Sequence, residues 1–241
     1  AAGGRRWGFP WGRVAGGAGR AGAGPGPSPG GVAPVDGAAR AVPPRAPETH
    51  GTPAFLRALF DGCPGRIEIR QVPDKRSGPR SGAASAWFED VDRAVAALPR
   101  LCDEAGRAGR AVSVGVLPRR APGAGKSSDT LPGGAAWADI DFKVLGEEEA
   151  RARLLDLGDL APSIVVASGH GLHAYWLLAG PTAPADISSL CRRLAHHLGA
   201  DHCFDAARVL RLPGTWNVKD CWDGEEYRFD PSRARMATIE S

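Results

Sequence analysis

The sequence predicts a mixed α/β (α+β) domain, and three observations predict it. Strand-like alternation appears in RIEIRQV, AVSVGVL and WADIDFK. Apolar residues at helical spacing separate such runs, as at Ile187, Leu190, Cys191, Leu194 and Leu198. Two β-rich runs flank a Ser-Gly-His-Gly centre in SIVVASGHGLHAYWLL, the pattern of a hairpin. Strands and helices interleaved in this way pack as two layers.

The elements follow in order. PAFLRALF, 53–60, reads as a short helix and RIEIRQV, 66–72, as a strand. Ser85 is placed to cap a helix that carries Phe88, Val91, Val95 and Leu98, with Pro99 expected to end or kink it. AVSVGVL, 111–117, is a strand, followed by a long Gly- and Pro-rich polar loop. WADIDFK continues as a strand, and a Glu-led helix is expected from about 147 to 157, its acids suiting the helix dipole. The hairpin over 163–178 and a helix over 186–198 come next. The chain then runs through DHCFDAARVLRLPGTWNVK to a short strand near Tyr227.

Composition divides the chain. Its first 47 residues are almost all Gly, Ala, Pro and Arg, and cannot bury enough apolar surface to offset their ordering entropy. Residues 1–50 are therefore expected to be a disordered arm and 51–241 a folded domain. The net charge is +3, yet residues 1–47 hold six arginines against Asp36 alone, so the rest is slightly acidic. Bulk charge is then no evidence for nucleic-acid binding by the folded part, and any such site is a local patch. The cysteines are five, scattered, and form no C-x-x-C pair, as expected of a reduced, cytoplasmic chain. No apolar run is long enough for a membrane span, so no membrane association is expected.

The polar residues that interrupt apolar strands carry the chemistry. In WADIDFK, Ala138, Ile140 and Phe142 face one way and Asp139 and Asp141 the other. Paired acids raise each other's pKa and call for a hydrated face or a cation. With Asp205 they make three carboxylates, suited to magnesium or manganese in a two-metal site. A D-x-D alone more often marks a solvated face. In SGHGLH, Gly169 and Gly171 allow close backbone approach to a phosphate, Ser168 adds a hydroxyl, and His173 can donate to a phosphate oxygen. In RVLRLPGTWNVK, Arg208, Arg211 and Lys219 supply positive charge in a form that matches phosphate.

Other signals carry less. APGAGKS lacks the first glycine of a phosphate-binding P-loop, since Arg120 stands there. Cys191, His196, His197, His202, Cys203 and Cys221 fit no common zinc spacing, so zinc is not expected, and His196 should be a solvated surface residue.

Taken together, D-x-D, SGHGLHAYW and FDAARVLRLPGTWNVK resemble the archaeo-eukaryotic primase superfamily, and most of all its RepB-like primase-polymerase branch of plasmids, phages and mobile elements. The resemblance spans roughly residues 51–230. It implies a modified RRM-like sheet with an accessory α/β subdomain and an active site in the cleft between them. It implies template-directed nucleotide transfer on a single-stranded template, with an NTP or dNTP as substrate and a helicase as a possible partner. Asp139, Asp141 and Asp205 would bind two magnesium or manganese ions, with Asp201 near enough to compete for the third place. Ser168, His173, Arg211 and Lys219 would hold the triphosphate, joined by Arg119. A rolling-circle nicking protein with Tyr175 or Tyr227 as nucleophile, and a non-catalytic single-strand binder, are the alternatives.

Overall fold

The computed structural model describes residues 51–77 and 82–240. The arm expected over 1–50 lies outside them. The chain opens with helix α1 (Thr52–Phe60), which has proline in its first turn, where no intrahelical N–H is needed. Strands β1 (Ile67–Pro73) and β2 (Ala84–Phe88) follow, then helix α2 (Val91–Arg107) and strand β3 (Arg110–Gly115). Next come β4 (Gly133–Asp141), the single turn α3 (Phe142–Leu145) and α4 (Glu147–Leu155). The hairpin β5 (Ile164–Ala167) and β6 (Gly171–Thr182) leads into α5 (Pro184–Leu198). The rest is short: β7 (Val209–Arg211), β8 (Trp216–Asn217), β9 (Trp222–Asp223), β10 (Glu226–Tyr227), β11 (Arg235–Met236) and β12 (Thr238–Glu240).

Two four-stranded antiparallel sheets organise these elements, one in the order β2-β1-β3-β7 and one in the order β12-β5-β6-β4. One core joins them. Ile67, Ile69, Val112 and Val114 of the first sheet pack in it with Ala135, Trp137, Val166 and Tyr175 of the second, closed by α1, α2 and α5. A smaller core lies on the other face of the second sheet, where Ala138, Ile140, Leu172 and Ala174 meet Ala150 and Leu154 of α4. Phe142 packs against it, as the alternation of WADIDFK predicts. Strand β4 is the outer strand of its sheet, and its free edge is covered: α5 packs along it, and the Trp137 backbone N–H donates to Cys191 Sγ at 3.2 Å.

The start of α2 differs from the sequence expectation. Ser85 lies in β2 and donates its hydroxyl to Glu68 Oε1 at 2.8 Å, while Asp90 caps the helix by accepting from the Arg93 N–H at 2.7 Å. The β-rich ASAWF had a partner strand in β1, and that pairing overrides local helical spacing. The helix also runs past Pro99 to Arg107. Pro99 is on the exposed side, so the carbonyl it leaves unpaired can face water. His196 is exposed, as expected.

Candidate active site

The site begins with the register of two strands. Asp139 of β4 stands directly opposite His173 of β6, and Asp141 opposite Gly171. Trp137 and Tyr175, one pair earlier on the same face, are fully enclosed in the shared core. Beyond them the core ends, and the face that buries Trp137 presents the two acids. His173 is 5 % exposed, its Nε2 is 3.6 Å from Asp139 Oδ1, and its Nδ1 has no partner. Burial lowers the imidazole pKa; Asp139 opposes this and Arg211 adds to it.

A third segment arrives from α5. Gly199 ends that helix in the left-handed region, and the Asp201 N–H then donates to the Asp139 carbonyl at 2.8 Å. Two residues on, the Cys203 carbonyl accepts from Trp137 Nε1 at 2.6 Å, and its Sγ reaches Asp139 Oδ2 at 3.6 Å. Asp139, Asp201 and Cys203 each bring one ligand atom within 4.8 Å of the others. Burial raises the Asp201 pKa, and the charges of Asp139 and Asp141 raise it further. The Cys203 thiol is pushed up to about 12 by burial and the Asp139 charge. Asp141 accepts from the Lys143 N–H at 2.8 Å and so caps α3.

This donor set fits a hard divalent cation. The charges of Asp139 and Asp141 act together on Asp201, only partly offset by Arg208 and His202, and carboxylate oxygens gathered in this way suit such an ion.

The positive side comes from the first sheet. Arg211 of β7 is half-buried, lies close enough to His173 to lower its pKa, and donates Nη1 to the Trp216 carbonyl at 3.3 Å. Burial pulls its guanidinium down to about 10, so it stays charged at neutral pH. Arg211 also lines a cleft of ≈ 690 Å³ with Lys75, Arg76, Lys143 and Lys219, against Asp74 and Asp220. Arg211 thus belongs to the cleft and lies in electrostatic reach of His173. The sequence analysis does not single out Lys143, although it stands two residues after the D-x-D, where the strand passes into a helical turn.

The Ser168–Gly171 turn is tied to this cleft. Gly169 has φ 98°, and a Cβ there would stand 3.0 Å from Asn217 Nδ2, which donates to the Ser168 carbonyl at 2.8 Å. Ser168 Oγ donates to the Gly171 carbonyl at 3.0 Å. Gly171 has a different reason to be glycine: a Cβ there would lie 2.2 Å from the Ile140 carbonyl oxygen, so it serves the close approach of β6 to β4.

Two expected ligands sit elsewhere. Arg119 is fully buried, donating Nε to Glu68 Oε2 at 2.8 Å, Nη1 to the Ala206 carbonyl at 3.3 Å and Nη2 to the Ala207 carbonyl at 2.8 Å. With its fork engaged on these acceptors it holds the segment before Arg208 rather than a phosphate. Asp205 is exposed and pairs with Arg208 at 2.6 Å, and it is not in the ligand cluster; Asp201 is. Neither tyrosine is presented as a nucleophile. Tyr175 is fully buried, and the Tyr227 hydroxyl donates to the Gly106 carbonyl at 2.6 Å.

No family model and no curated protein matches the sequence. Solved structures do match. Primase RepB' superposes with TM-score 0.50 at 16 % identity, over 79 % of this chain and 55 % of that one. The chain has the fold of the RepB' primase. The catalytic domain of primase RepB' in complex with initiator DNA gives TM-score 0.48 at 18 % identity, over 77 % of this chain and 80 % of that one. The archaeo-eukaryotic primase domain of the cyanophage S-2L primase-polymerase gives 0.48 at 16 %, over 73 % and 81 %. On this fold the pairing of β4 with β6, and not any one motif, places Asp139 opposite His173. Among the described residues no helix is long and apolar enough to cross a membrane.

Proposed function

We propose that the chain is a metal-dependent nucleotidyltransferase of the primase-polymerase type, joining nucleotides on a single-stranded template. The observation that carries this reading is the cluster of Asp139, Asp201 and Cys203 beside His173, with Arg211, in electrostatic reach of that histidine, lining a basic cleft large enough for a nucleotide. Asp139, Asp141 and Asp201 would hold magnesium or manganese, which when bound lowers the pKa of an attacking hydroxyl and offsets charge on a leaving pyrophosphate.

The residues of the chain do the rest. Arg211 and Lys219, with Lys143, bind and orient the triphosphate, and Arg211 supplies the planar fork that matches phosphate oxygens. His173 stands against Asp139, its Nε2 3.6 Å from Oδ1, and positions that carboxylate. Asn217, which lines the cleft, also holds the Ser168–Gly171 turn through the Ser168 carbonyl. Initiator DNA accompanies the RepB' catalytic domain in its structure. Template binding by this chain is inferred by analogy with it, and a helicase partner remains part of the same proposal.

The test is incorporation of labelled NTPs and dNTPs on a single-stranded template with magnesium or manganese. The reading expects cation-dependent product; purified, folded chain that binds single strands without ever incorporating nucleotide would favour the binding-module alternative.

A further inference from the structure

One ligand atom of the cluster has no role in the chemistry just described. Cys203 Sγ lies 3.6 Å from Asp139 Oδ2 and within 4.8 Å of an Asp201 oxygen. A hard cation has little use for sulfur, whereas a thiolate selects softer ions such as zinc. Tetrahedral zinc with bonds of about 2.3 Å to sulfur and about 2.0 Å to oxygen sets adjacent ligands roughly 3.5 Å apart. The Cys203–Asp139 separation already matches such an edge, and the third vertex needs a closure on the order of an ångström.

A second observation points the same way. His173 is more than nine-tenths buried, its Nδ1 has no partner, and its Nε2 is aimed at the Asp139 oxygen that Cys203 does not touch. An imidazole set behind a ligating carboxylate orients it and raises its affinity for a metal. Asp139 is thus bracketed by an imidazole on one oxygen and a thiol on the other.

We propose that Asp139, Asp201 and Cys203 form a mixed oxygen–sulfur site that takes Zn²⁺. On binding, a zinc–sulfur bond forms, the S–H bond breaks, and the thiol proton passes to solvent. Three protein ligands leave a fourth position open. The sequence argues against zinc because its Cys and His spacings fit no finger; this site has no such spacing, since β4 and the segment after α5 supply it from far apart in the chain. Occupancy by zinc displaces the hard cation and stops nucleotide transfer. That consequence rests on the function proposed above, while the zinc site itself does not.

Cobalt(II) is the spectroscopic probe. Titrated into the full chain, it gives a sulfur-to-cobalt charge-transfer band that saturates at one equivalent and is abolished by Zn²⁺. The band is lost in Cys203→Ser and kept in Cys63→Ser, whose thiol donates to the Leu59 carbonyl elsewhere in the fold. Asp201→Asn and His173→Ala weaken zinc binding by roughly tenfold or more. Circular dichroism of each variant shows that its fold is retained. Cobalt binding without a sulfur band, a band that survives Cys203→Ser, or no binding at all would overturn the site. Nucleotide incorporation is measured separately with magnesium: if zinc binds as described yet leaves incorporation unchanged, or if no incorporation occurs at all, the zinc site stands and the competition falls.

Discussion

His173 of β6 and Asp139 of β4 are direct cross-strand partners, and the imidazole Nε2 stands 3.6 Å from the carboxylate Oδ1. This pair sits where the core between the sheets gives way to the cleft. Two residues earlier, on the same face, the strands bury Trp137 and Tyr175; two residues later the face carries Asp141. A change at either partner therefore acts on the site through a strand register that the core already fixes.

The third carboxylate separates two neighbouring aspartates. Asp201→Asn should reduce nucleotide incorporation by two orders of magnitude or more, since losing a metal-binding oxygen removes several kcal/mol of charge stabilisation. Asp205→Asn should reduce it far less, because Asp205 pairs with Arg208 outside the cluster. Steady-state incorporation rates of the two variants, side by side, check this; the reverse order would restore Asp205 to the site.

Arg211 is charged, half-buried and without a carboxylate partner among its described hydrogen bonds. Arg211→Lys should raise the KM for the incoming triphosphate by roughly tenfold or more, since a hydrogen bond to a charged group contributes about 1.5–3 kcal/mol. The same variant should leave thermal stability near the wild-type value. An unchanged KM would remove Arg211 from the triphosphate site.

How much of this was legible in the sequence depends on where the information sits. The alternation of WADIDFK gave the shared face of Asp139 and Asp141, and the turn in SGHGLH gave the hairpin that puts His173 opposite. Both are local patterns. The contacts of Arg119 are set by Glu68, 51 residues away in the chain, and by carbonyls at Ala206 and Ala207, which no local pattern shows. The choice between Asp201 and Asp205 turned on a backbone hydrogen bond from Asp201 to Asp139, which no spacing encodes. The start of α2 was lost to a strand pairing that outweighed local preference.

Glu68 and Arg119 are both fully buried and joined at 2.8 Å. Arg119→Met should destabilise the fold by about 3–5 kcal/mol, because it leaves a buried carboxylate short of its main partner. Chemical denaturation measures this. The pH dependence has a definite sign. Burial alone would raise the Glu68 pKa, but hydrogen bonds from Arg119, Ser85 and Arg70 outweigh it and hold the pKa below the usual glutamate value. The stabilisation is therefore present above the unfolded-state pKa and is lost as pH falls through the folded one. Glu68→Gln should flatten the acid limb of the stability profile relative to wild type.

Gly171 tests the fold beneath the site. A Cβ at this position would stand 2.2 Å from the Ile140 carbonyl oxygen, so Gly171→Ala should force β6 from β4 and cost about 1–3 kcal/mol. The expected reading is a lower Tm with weakened activity. Wild-type stability would show that the strand pair can absorb the methyl group.

The most direct measurement is labelled-nucleotide incorporation on a single-stranded template by the wild type and by Asp139→Ala/Asp141→Ala, with circular dichroism confirming that both are folded. The account predicts product from the wild type that requires magnesium or manganese and disappears with chelator, and none from the double variant. Undiminished incorporation by the double variant, or wild-type product formed in the presence of chelator, would contradict it.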